Sequence, residues 1–170
     1  MNLRYIFVAC LLCITSLGSG AASDTWVVRF DRTGPVKIGM SLSQLNAALH
    51  EEFSIPEDED GKACFYAEPT KHPGIAIMIE EGYVTRVDVS RPGISTAQGI
   101  RIGDSEARVK QVYGDKLKVE PHAYDGPKGH YLTVLSSNGL YGIRFETDGK
   151  KISSFYAGKT DAIAYIEGCQ

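Results

Sequence analysis

The sequence predicts an α+β domain built as a tandem repeat. Each unit is a short helix followed by a three-stranded antiparallel meander, with the helices packed on the sheet. Two observations predict it. A phrase occurs twice: Lys37 to Leu45 lines up with Arg101 to Val109, 64 positions on, each reading basic residue, Ile, Gly, any residue, Ser and an apolar-periodic run. Each copy then leads into apolar-alternating segments separated by Gly-containing pairs, the signature of hairpins. A helix with one apolar stripe on a sheet with one buried face forms such a layer.

The elements follow in order. Residues 1–22 read as a cleaved secretory signal: Arg4 is the positive start, Ile6 to Leu17 the apolar run, and Gly18 to Ala22 the small residues before cleavage. A lipid-attachment box at Phe7 to Cys10 is the weaker alternative, since Cys10 comes early. No segment reaches the ~20 apolar residues of a spanning helix. Trp26 to Phe30 reads as a lead-in strand, Asp31 to Pro35 as a turn, and Val36 to Ile38 as an extended arm ending at Gly39. Ser41 with Gln44 forms a capping box, and Leu42, Leu45 and Leu49 share one helical face. A polar loop over 54–61 carries the acidic run Glu57 to Asp60. Ala63 to Ala67, Ile75 to Glu80 and Tyr83 to Val89 read as strands, with a tight turn at Glu81-Gly82.

In the second copy Asp104 or Ser105 caps a helix whose inner face is Val109, Val112 and Tyr113, and Gly114 closes it. A long loop follows. Then come strands over 130–137, 140–147 and 150–157, joined by Asn138-Gly139 and Asp148-Gly149, pairs suited to type I′ hairpins. The units span about 34–92 and 98–158 in a single domain over 23–170, with a tail from 159. The tail segment 162–167 reads as a strand or an extended piece.

After cleavage only Cys64 and Cys169 remain, and two cysteines in an exported chain read as one disulfide. It closes a loop of about a hundred residues, on the order of 4–5 kcal/mol in the loop-entropy account. The 18 basic and 21 acidic residues leave a net charge of −3, with no basic run, so nucleic acid is excluded as a natural partner. No basic amphipathic helix points to a membrane surface.

The phrase Ile38, Gly39, Met40, Ser41 with Leu45, and its second copy Ile102, Gly103, Ser105 and Val109, resembles a pattern of small bacterial envelope proteins of the SmpA/OmlA type. The tandem arrangement resembles the β-lactamase inhibitory proteins (BLIP-like). Asp104 departs from the Met of the first copy. The resemblance implies an exported, non-catalytic protein, periplasmic or secreted, that binds a protein or another envelope component; a monomer is expected. It also implies a concave face presenting aromatics, for which Tyr66, Tyr124, Tyr131 and Tyr141 are available.

The segment Pro121 to Tyr131 holds His122, Tyr124, Asp125, His130 and Tyr131 around a Gly/Pro loop. It is the candidate contact region, with Tyr66 added from the first unit. Two histidines and Asp125 could form a metal site, but i, i+8 spacing in a loop has no fixed geometry, so no metal and no cofactor is assigned. No serine lies in a nucleophile elbow and no phosphate or dinucleotide loop is present, so no catalytic residue is assigned. A small-ligand or glycan binder using the His122 to Tyr131 loop is the alternative, and a small hydrolase the third reading.

Overall fold

The computed structural model describes residues 26–56 and 64–169. The leader, Cys10, the acidic run Glu57 to Asp60 and the start of the strand expected at Ala63 lie outside the described residues.

The first strands are β1 Val27–Val28, β2 Arg32–Thr33 and β3 Val36–Lys37, followed by helix α1 Leu42–Leu49. Next come β4 Cys64–Ala67, β5 Ile75–Glu80, β6 Tyr83–Val89 and β7 Ser95–Thr96. Helix α2 Glu106–Tyr113 precedes β8 Leu117–His122, β9 Gly126–Leu135, β10 Tyr141–Thr147 and β11 Ile152–Lys159. The last seven strands other than β7 form one antiparallel sheet in the order β4-β5-β6-β11-β10-β9-β8. The short strands make a second sheet, β3-β2-β1-β7, whose β1-β7 pair is parallel.

This overturns the predicted α+β tandem repeat of a helix plus a three-stranded meander. The chain is mostly β, and its two α-helices among the described residues are eight residues each. Three strands of the large sheet follow α1 but four follow α2, and the lead-in segments build a sheet of their own. The discrepancy has a local cause. Leu117 to His122 read as loop because the alternation Leu117-Lys118-Val119-Glu120 is short and is broken at Pro121. It is an edge strand, where a proline loses no ladder bond and charges face water. The tail is likewise no strand: Ala162–Ala164 is a single 3-10 turn.

The turn types were also misassigned. Neither Asn138 nor Asp148 takes the positive φ that type I′ needs. Their side chains cap wider loops instead. Asp148 Oδ1 accepts the N–H groups of Lys150 and Lys151 at 2.8 and 2.7 Å, and Asn138 Oδ1 accepts that of Leu140 at 3.1 Å. The two-residue hairpin with both φ positive is Glu81-Gly82, at 50° and 82°.

The doubled phrase builds one joint twice. Gly39 and Gly103 both have φ 90°. Gly39 N–H donates to Val84 O and Val84 N–H to Met40 O. Gly103 N–H donates to Ile152 O and Ile152 N–H to Asp104 O. Each phrase thus clips its helix start to the strand after a hairpin. Ser41 caps α1 in the expected box with Gln44, and Ser105 caps α2.

One face of the large sheet is the core. Ile75, Ile77, Val87, Phe155, Ile143, Phe145 and Leu132 pack there with Leu45 and Val109 of the helices and Val28 and Val36 of the small sheet. The C-terminal segment crosses the opposite face and is tied by a disulfide from Cys169 to Cys64, Cα–Cα 5.3 Å. No helix among the described residues is long and apolar enough to cross a membrane.

Candidate binding cleft beside Arg144

Alternation along the strands decides what reaches the outer face. In β10, Ile143 and Phe145 enter the core, so Arg144 and Glu146 point the other way. In β6 the same rule sends Arg86 and Asp88 outward. Both arginines are nonetheless buried, 4 % and 8 % exposed, because the C-terminal segment covers them.

The two sites share a plan. Arg86 lies 4.3 Å from the centre of the Tyr156 ring, and Arg144 lies 4.2 Å from that of Tyr131. Arg86 Nη1 donates to the carbonyls of Ala162 and Tyr165 at 3.0 and 3.2 Å. Arg144 Nη1 donates to those of Ile163 and Ala164 at 3.2 and 3.4 Å. Each guanidinium also meets a carboxylate. Asp88 takes Arg86 by both corners of the fork, Nε at 2.7 Å and Nη2 at 2.8 Å. Glu120 takes Arg144 by Nη2 alone, at 3.2 Å.

Around Arg86 the polar groups are closed on one another. Tyr66 accepts from Arg86 Nη2 at 2.7 Å, and Tyr156 donates to Glu146 at 3.1 Å. Burial, then the Asp88 charge, pushes the Tyr66 phenol up to about 12. Burial likewise pushes Tyr156 up, with Glu146 adding to it. Burial holds the Asp88 carboxyl above its ordinary range against the pull of Arg86.

Arg144 instead lines a cleft of about 1300 Å³. Its lining runs round the sheet edge: Leu135 and Ile163 are apolar on the Arg144 face, and Phe30, Val112 and Tyr113 border it from the core face. Lys116, Lys118, Glu120, Thr133 and Arg144 supply its charged and polar groups. Two buried atoms in this wall, Arg144 Nε and Thr133 Oγ1, have no hydrogen-bond partner among the described residues. They belong to directly paired positions of β10 and β9. A second hollow of about 520 Å³ lies across the C-terminal segment, lined by Tyr124, Tyr165 and Ile166 among others. Ala164 borders both, so the segment is the partition between them.

Of the residues singled out from the sequence, His122, Tyr124 and Tyr131 come together, while His130 and Tyr66 lie apart from them. His122 stacks on Tyr131 at 4.4 Å, and its Nδ1 accepts the N–H groups of Tyr124 and Asp125, both at 3.2 Å. That is a turn cap. His130 points to the other face, where its Nδ1 meets Glu106 Oε1 at 2.7 Å, and Thr147 donates to the same oxygen at 2.5 Å. Burial works against the Glu106 carboxylate, but Thr147, His130 and Lys110 hold it below the usual range. Tyr124 is 63 % exposed and bonds Glu167. Tyr66 lies under Gly168, beside Arg86. None of these five lines the large cleft.

The expected convergence of His122, Tyr124 and His130 therefore does not occur, and the two histidines face opposite sides of the sheet. No group of three or more His, Cys, Asp or Glu among the described residues could hold a metal ion. The Glu106–His130 pair borders neither cavity, and its hydroxyl partner bonds the acid rather than the base.

Sequence reasoning missed Lys116, Lys118, Thr133 and Arg144. The available signal was one arginine near the centre of each of two largely buried strands, Arg86 and Arg144. A charge placed there needs cover and partners from elsewhere in the chain.

No protein-family model matches the chain, and no curated protein matches it. Among solved structures, it is similar to the crystal structure of the uncharacterized protein yfeY from Escherichia coli. The two share 12 % identity at a TM-score of 0.48, over 78 % of this chain and 99 % of that one. A likeness of this size leaves fold and function to be argued from the chain itself.

Proposed function

We propose that the chain is an exported, non-enzymatic binding protein that takes a component of the cell envelope in the cleft beside Arg144. The observation that carries this reading is the cleft itself. It combines apolar walls with a buried cation whose Nε has no partner among the described residues. The Cys64–Cys169 disulfide and the leader-like residues 1–22 support export.

The test is native mass spectrometry of the protein purified from envelope extract, alongside Arg144→Met. A bound small molecule in the wild type that is lost in the variant supports the reading. A wild type carrying nothing, in repeated preparations, overturns it. One observation favours a second reading, contact with a protein: Tyr124, Tyr165 and Ile166 are exposed by 41–63 % and line the smaller hollow together. Capture of a protein that fails with Tyr124→Ala/Ile166→Ala, and survives Arg144→Met, would decide for it.

A further inference from the structure

The molecule contains a template for what the cleft accepts. Asp88 sits on Arg86 with one oxygen on Nε and the other on Nη2. At Arg144 the same fork is half used, because Glu120 reaches Nη2 and leaves Nε without a partner among the described residues. Glu120 is held loosely for such a group. Its side chain is 37 % exposed, and its other oxygen bonds the solvent-facing Lys118 at 2.9 Å. A carboxylate from outside can take both corners of the fork if Glu120 swings away, and it gains the stronger bidentate geometry by doing so.

The rest of the cleft describes what such a carboxylate is attached to. Against the single acid Glu120 stand Arg144, Lys118 and Lys116, and Lys116 has no carboxylate within ion-pair distance among the described residues. The polar end is therefore cationic. Leu135 and Ile163 continue the Arg144 face without a charge, and Phe30, Val112 and Tyr113 extend the apolar lining round the sheet edge. The unpartnered Thr133 hydroxyl lies beside Arg144 across the β9–β10 pair, placed to donate to an oxygen bound there. The volume of about 1300 Å³ exceeds what an amino acid or a single sugar fills.

We propose that the cleft binds a single-chain aliphatic carboxylate. Its carboxylate takes Arg144 by Nε and Nη2, its chain lies along the apolar wall, and Glu120 is the displaceable occupant of the empty state. This deepens the proposed function and rests on it.

Calorimetric titration of the disulfide-bonded protein with dodecanoate, below its micelle-forming concentration, tests it. The expected result is one site per chain. Dodecanol, with the same chain and no charge, should bind at least about tenfold more weakly, and Arg144→Met should weaken dodecanoate by a similar factor. Glu120→Gln should tighten it, which a merely structural role for Glu120 does not predict. If Arg144→Met does not fold, Leu135→Glu at the half-exposed rim places a repelling charge in the cleft and should weaken dodecanoate in its stead.

Equal binding of dodecanoate and dodecanol, no binding of dodecanoate, or weaker binding by Glu120→Gln each overturns the proposal. A protein that ignores dodecanoate but carries another small molecule out of the envelope, lost with Arg144→Met, leaves the binding function standing and refutes only the ligand class. A protein that does neither refutes both.

Discussion

Arg86 of β6 and Arg144 of β10 occupy comparable places on either side of β11 and differ in how fully their guanidinium groups are partnered. Both lie on a tyrosine ring, both donate to two carbonyls of the C-terminal segment, and both are more than nine-tenths buried. Arg86 has its Nε on Asp88, while Arg144 Nε has no partner among the described residues. Burying a charge is costly unless its hydrogen-bonding capacity is met, so an incompletely matched arginine is an expensive feature in a finished structure. The Arg86 side is an internal joint. The Arg144 side has the same parts arranged around a cleft, and an exposed glutamate takes the place of a fixed aspartate.

The largest expected effect removes what both sides share. Cys64→Ser or Cys169→Ser unties the segment that supplies their carbonyls. It should lower stability by about 4 kcal/mol in the chain-entropy account, read as the shift in urea midpoint. An unmoved midpoint would show that the arginines hold the segment by themselves. Next, Arg86→Met strands Asp88 and should cost about 3 kcal/mol. Arg144→Met strands only the half-exposed Glu120 and should cost about 1 kcal/mol. Equal losses would break the comparison.

A smaller effect sharpens it on the alkaline side. Tyr66 ionises near 10 when unfolded and is pushed up to about 12 in the fold. The folded state therefore keeps a proton that the unfolded state has lost. The stabilisation from the neutral phenol is complete below pH 10 and falls away as pH rises toward 12. Tyr66→Phe should flatten part of that decline in denaturation midpoints, leaving the share contributed by Tyr156. An unchanged decline would remove Tyr66 from the Arg86 joint. The smallest effect belongs to Glu120→Gln, expected to change stability by less than about 0.5 kcal/mol because its pairs are largely solvated. A large loss would make Glu120 a fixed partner like Asp88 and close the distinction.

Local structure was more legible than assembly. The Ser41–Gln44 box, the Ser105 cap, the glycine joints and the Cys64–Cys169 bond are set by a few neighbouring residues or by elimination. Each appears in the structure. The repeat architecture was over-read from the joint, because a shared helix start does not fix how many strands follow it. Strand β8 was missed because Pro121 cuts its four-residue alternation short, and that proline, with Lys118 and Glu120, also suits the strand to an edge. The His122 to Tyr131 segment attracted notice by residue type, yet its histidines are engaged in a turn cap and a hydrogen bond with Glu106. The cleft was illegible because Phe30, Tyr113, Lys118, Leu135, Arg144 and Ile163 come from six segments, and only the sheet order brings them together.

The shared partition also sets a timetable. Cys64 precedes its partner by 105 residues, so during synthesis it emerges roughly 5–20 s before Cys169. Every strand of the large sheet lies ahead of Ala162 in the chain, and so do the guanidinium groups that receive the tail. The tail has its full seat only once β6 and β10 flank β11 and present Arg86 and Arg144 to it. A chain still carrying two thiols has a cleft whose final wall is not locked in place.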